Sequence, residues 1–79
     1  MTINTTFHEP VLLRGNGGVT SIRTAVEASE ALQLQWPEAR GKWYHAANRA
    51  CASAAEGRTS PHVARRIFLQ AAEESRVRA

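Results

Sequence analysis

Two short β-prone runs in "PVLLRGNGGVTSIR", residues 10 to 23, meet at Asn16-Gly17. That dipeptide is the strongest short-range hairpin signal, because a two-residue type I′ loop needs positive φ at both central positions. A loop of that length sets Leu13 opposite Thr20 and Val11 opposite Ile22. Val11, Leu13 and Ile22 then share one side, which is the side to bury. Downstream the period changes from two to that of a helix. Thr24 and Glu27 form a T-x-x-E capping box, and Ile22, Val26, Ser29, Leu32 and Trp36 recur at helical spacing until Pro37 ends the run. After the linker "PEARG" a second helix is expected from about Lys42 to Glu56, with Gly57 placed to close it. Ser60 caps a third helix that carries Pro61 at its first position, where the missing N–H costs nothing. Its inward stripe is Ala64, Phe68, Ala71 and Ser75. The pattern is α+β: an N-terminal two-stranded β-hairpin packed on about three α-helices.

Composition narrows the packing. At 79 residues the chain reads as one small domain, residues 1–79, with 1–8 and 77–79 expected to be frayed. Only 6% of residues are aromatic, and the second helix is lined by Ala46, Ala47, Ala50, Cys51, Ala52, Ser53, Ala54 and Ala55. A helix with so many small side chains can be approached from more than one side, so it is placed centrally, between the hairpin and the third helix. No apolar run reaches the roughly 18 residues of a membrane span, and "MTINTTFHEP" lacks the basic and apolar regions of a signal peptide. A cytoplasmic location follows as an expectation, to which the single cysteine conforms.

The residues in this order carry a resemblance. Val26-Glu-Ala, Leu32-x-x-x-Trp36-Pro37, Gly41-x-x-Tyr44-x-x-Ala47-x-x-x-Cys51, Gly57-x-x-Ser60-Pro61-x-x-Ala64-Arg65 and Phe68-x-x-Ala71-Ala72-Glu73 together resemble the bacterial family catalogued as domain of unknown function 982, over about residues 9 to 76. The resemblance implies a small α+β domain of a hairpin and about three helices. It brings no activity, cofactor or binding residue. The positions that carry it, among them Trp36, Tyr44, Ala47, Cys51, Ala64, Phe68 and Ala71, fall where core, caps and turns are expected, as packing alone would produce.

Catalytic chemistry finds little footing. Cys51 lies six positions after His45, about 240° around a helix, and the chain has no aspartate to orient a histidine. A buried, inert thiol is the better reading. His8, His45 and His62 fall on three different elements, without the i, i+4 or Cys-x-x-Cys spacing of zinc sites, so no metal is expected. Glu73 and Glu74 are adjacent and diverge on a helix. The glycines of the hairpin are followed by no Lys-Ser/Thr and form no G-x-G-x-x-G. No catalytic residue, cofactor or small-molecule ligand is identifiable, and an enzyme is not expected.

Two surfaces are left to weigh. Leu34, Trp43, Ile67 and Leu69 are the apolar residues that the stripes leave over, and if contiguous they form a patch for a second copy of the chain or another protein. A protein-interaction module, self-associating as a homodimer or binding a different protein, is the expected function. The alternative rests on charge. Residues 1 to 39 hold two arginines against four glutamates, a balance of −2, whereas residues 40 to 79 hold eight Lys or Arg against three glutamates, a balance of +5. Arg58, His62, Arg65 and Arg66 surround the start of the third helix, where a helix-turn-helix-like segment 42–76 would hold its nucleic-acid contacts. Glu73 and Glu74 on the same helix, and a preceding helix longer than such a motif needs, count against it.

Overall fold

A computed structural model of the chain describes residues 4–15, 17–38 and 40–79. The order is β1 (Thr6–Gly15), β2 (Gly18–Thr24), α1 (Ala25–Leu34), α2 (Lys42–Ala55) and α3 (Pro61–Glu74). The two strands pair antiparallel in the expected register, Leu13 with Thr20 and Val11 with Ile22, and Val11, Leu13 and Ile22 are buried. Asn16 lies outside the described residues. The register shifts between Thr6 and Val11, a stretch that contains Pro10, which has no N–H to give to a ladder. That irregularity carries His8 and Glu9, and both turn out to meet α3.

Of the two ends expected to fray, residues 1–3 lie outside the described residues, while Thr5, Phe7 and residues 77–79 are held in place. Phe7 is buried, and the Ala25 amide donates to the Thr5 carbonyl at 2.8 Å. At the other end the Arg14 amide donates to the Val77 carbonyl at 2.6 Å and the Ala79 amide to the Leu12 carbonyl at 3.0 Å, so residues 77–79 cover the free edge of β1. The turn that aims them there is a Schellman motif at the end of α3, with Val77 donating to Ala72 and Arg76 to Glu73. Arg76 sits in its left-handed position at φ 59°. The same motif ends α2, where Arg58 donates to Ser53 and Gly57 to Ala54, with Gly57 at φ 83°.

The helix caps follow expectation. Thr24 Oγ accepts from the Glu27 amide at 3.0 Å, and Glu27 reaches back to the Arg23 amide at 2.7 Å. Ser60 accepts from the His62 amide, with Pro61 first in the helix. The face of α1 differs from the expected stripe. Ile22 belongs to β2, Val26 is 41% exposed, and the buried set is Ala25, Ala28, Ala31 and Leu32. The helix turns its alanines inward because α2, itself lined by small residues, packs closely against it. The position of α2 differs too. It lies between α1 and α3, while the hairpin packs on α3 and α1. Phe68, Leu32, Val11 and Cys51 are the largest fully buried side chains.

Candidate interaction surface

The outer surface of α2 and α3 is held in place by a joint built from the link between α1 and α2. Trp36 donates through Nε1 to Ser75 Oγ at 3.0 Å and lays its ring 5.5 Å from that of Phe68. Tyr44 donates its hydroxyl to the Leu32 carbonyl at 3.0 Å, closing a helix-end acceptor of α1. Arg40 donates to the carbonyls of Pro37 and Trp36 and stacks its guanidinium 4.6 Å from the Tyr44 ring centre. The N-terminus of α2 begins at Gly41, which has no side chain to cap it; Glu74 of α3 supplies the acceptor instead, taking the Trp43 and Tyr44 amides at 3.4 and 3.3 Å. A negative carboxylate at that end also complements the helix dipole. A Cβ on residue 41 would overlap the Glu74 carboxylate, so a side chain there would displace the cap. Among the described residues no buried side-chain polar atom lacks a partner.

On the far side of the same two helices lies a groove of about 300 Å³ lined by Trp43, Val63, Arg66, Ile67 and Gln70. Trp43 and Ile67 are half-buried against the core, and Val63 is 38% exposed. The Lys42 ammonium lies 5.8 Å from the Trp43 ring centre, so Lys42 and Arg66 give the groove a cationic rim. Of the four leftover apolar residues the structure therefore brings two together. Leu34, 78% exposed, lines a separate cleft of about 440 Å³ with Leu13, Arg14, Trp36 and Val77, and Leu69 packs half-buried against the core. Val63 is the groove residue that the sequence did not single out. It precedes the inward Ala64 and reads as an ordinary exposed helix position until Trp43 of α2 is set beside it.

The expected nucleic-acid set is divided in the same way. Arg65 is 14% exposed and clasps β1, donating through Nε to the Glu9 carbonyl at 2.8 Å with its second nitrogen 3.7 Å from the Glu9 carboxylate. Arg58 pairs with Glu56 at 3.3 Å. His62 meets His8, Nδ1 to Nδ1 at 3.2 Å. Arg66 alone of the four points into the groove.

The remaining chemistry is quiet. Cys51 is fully buried, and burial pushes its thiol up to about 12, so it presents no thiolate at neutral pH. Among the described residues no group of three or more His, Cys, Asp or Glu is placed to hold a metal ion. The histidines are nonetheless not all separate, as their spacing suggested: the irregular strand brings His8 to His62 across 54 residues. Among the described residues no helix is long and apolar enough to cross a membrane.

Residues 9–79 match the family model described as protein of unknown function (DUF982). No curated protein and no solved structure matches the chain.

Proposed function

The chain belongs to the DUF982 family, which covers nearly its whole length, and from that premise we propose a cytoplasmic protein-interaction module that docks its partner in the groove between α2 and α3. It assigns the chain no catalytic role. The observation that carries it is the groove itself, where Trp43, Val63 and Ile67 offer apolar contact inside a rim of Lys42 and Arg66. Large apolar anchors seated centrally, with charges at the edge that set partner choice, are how protein interfaces are built. The fitting partner presents an apolar side chain flanked by carboxylates. A second copy is the weaker fit, because an isologous pair would bring each cationic rim against its own copy. A stable interface needs about 800 Å² per partner, roughly a sixth of the chain's 5156 Å², so the groove is its centre. The basic-segment reading is less supported, since Arg58 and Arg65 already have acidic partners within the chain.

The experiment is selection from a displayed peptide library, with binding mapped by Trp fluorescence and light scattering run alongside. Enrichment of aromatic or leucine residues next to Glu or Asp is expected, with binding lost in Val63→Glu and Trp43→Glu while circular dichroism keeps its helical signal. A chain of twice the monomer mass at micromolar concentration, reduced by the same substitutions, would move the assignment to self-association. Binding that survives both substitutions would remove the groove from consideration.

A further inference from the structure

We propose that His8 of β1 and His62 of α3 are the two protein ligands of a site for a first-row divalent transition ion such as Zn²⁺. The two Nδ1 atoms lie 3.2 Å apart and the ring centroids 5.0 Å apart at an interplanar angle of 61°. Two imidazole nitrogens on one tetrahedral ion, each about 2.0–2.1 Å from the metal, come about 3.3 Å from one another. Their ring centres, each about 3.2 Å from the ion, then stand about 5 Å apart. A head-on hydrogen bond with the same nitrogen separation would hold the centres about half an ångström further apart. The nitrogen separation and the spacing of the ring centres thus both match two imidazoles on one ion.

Both ligands are placed by the backbone. His62 is fixed in the first turn of α3, its amide bonded to the Ser60 cap. His8 lies in the irregular stretch of β1 that Arg65 clamps to α3 through the neighbouring Glu9. No third His, Cys, Asp or Glu among the described residues joins them, so water fills the remaining positions and the ion is exchangeable. In the neutral pair one ring donates its Nδ1 proton to the other's lone pair. On binding, that proton moves through solvent to Nε2 of its own ring, freeing the second lone pair with no net change in protons. The ion then ties β1 to α3 across 54 residues of chain.

The test is calorimetric titration of the full chain with ZnCl₂ in a non-chelating buffer, with His8→Ala, His62→Ala and His45→Ala beside wild type. One ion per chain is expected, with Tm rising as Zn²⁺ is added because the ion binds only the folded pairing. His8→Ala and His62→Ala should each raise the dissociation constant by more than about tenfold, since losing even an outer-shell partner costs that much. His45→Ala, on α2, should leave it unchanged. Both rings are exposed, and circular dichroism checks that the variants fold. No saturable binding, or binding that persists in both His8→Ala and His62→Ala, overturns the site.

Discussion

Trp43 and Tyr44 are neighbours at the start of α2, and they divide the molecule. Tyr44 turns into a joint where Trp36, Arg40, Glu74 and Ser75 meet, and where a side chain answers each helix end: the Leu32 carbonyl at the end of α1, and the first amides of α2. Trp43 turns the other way, into a groove whose charged and polar members, Arg66 and Gln70, are without a partner among the described residues. The joint gathers residues from three helices and the link between them. The groove uses two helices whose relative position the joint has already set. Stability should therefore reside on the Tyr44 side, and the Trp43 side should tolerate change in everything except binding.

The largest test of that division is Phe68→Ala. Phe68 is fully buried and packs on Trp36, and truncating a buried phenylalanine costs about 3–5 kcal/mol. A domain this small has a total stability of about the same size, so the variant is expected to lack a cooperative thermal transition at room temperature. Val63→Ala, on the same helix but in the groove, should move the midpoint by only a few degrees. Equal losses from the two substitutions would mean that the groove belongs to the core.

This contrast also marks how much was legible in the sequence. The hairpin register, the Thr24, Ser60 and Gly57 caps and the Ala64, Phe68 and Ala71 positions of the α3 stripe follow from local rules and stand in the structure. Ser75 is instead the half-buried cap beyond the helix, and Ala72 completes the buried face. The face of α1 was misread because its inward residues are alanines, which hardly differ from their neighbours in apolarity, while Val26 drew the stripe about 100° off. Nothing local could reveal Glu74 as the cap of a helix that starts 32 residues earlier, or His8 beside His62. The described parts of the chain ends expected to fray are held by long-range bonds of the same sort: Thr5 to Ala25, and 77–79 to β1. The groove was half legible, since Trp43 and Ile67 stood out as surplus apolar residues. Leu34 and Leu69 stood out equally and went elsewhere, because surplus apolarity carries no information about which elements become neighbours.

A smaller test breaks the joint at its one contact without a side chain of its own. Gly41→Ala places a methyl where the Glu74 carboxylate sits, so the cap must swing away and leave two amides of α2 to water. Losing a helix cap costs about 1 kcal/mol, read as a lowered midpoint in urea with unchanged slope. Glu74→Ala should cost about the same, and the double variant little more than either alone, because both remove one interaction. Additive losses would show that Gly41 is needed for some reason other than the cap.

The smallest expected effect belongs to Arg66, and it tests the groove side against both of its readings. The residue is exposed and lines the groove beside Trp43, so Arg66→Ala should change stability by no more than about 0.5 kcal/mol, as surface substitutions usually do. Arg65→Ala, one position back, should do more, since it releases the clasp on Glu9 that holds the irregular part of β1 to α3. On duplex DNA, wild type is expected to bind weakly at low salt and not at physiological ionic strength, and Arg66→Ala should behave the same there. A phosphate contact would flatten the slope of log affinity against log salt by about 0.9 when removed. Binding tighter than about micromolar at physiological salt, with a sequence preference relaxed by Arg66→Ala or His62→Ala, would make α3 a recognition helix. The groove would then be the flank of a nucleic-acid surface, with its cationic rim meeting phosphates in place of carboxylates.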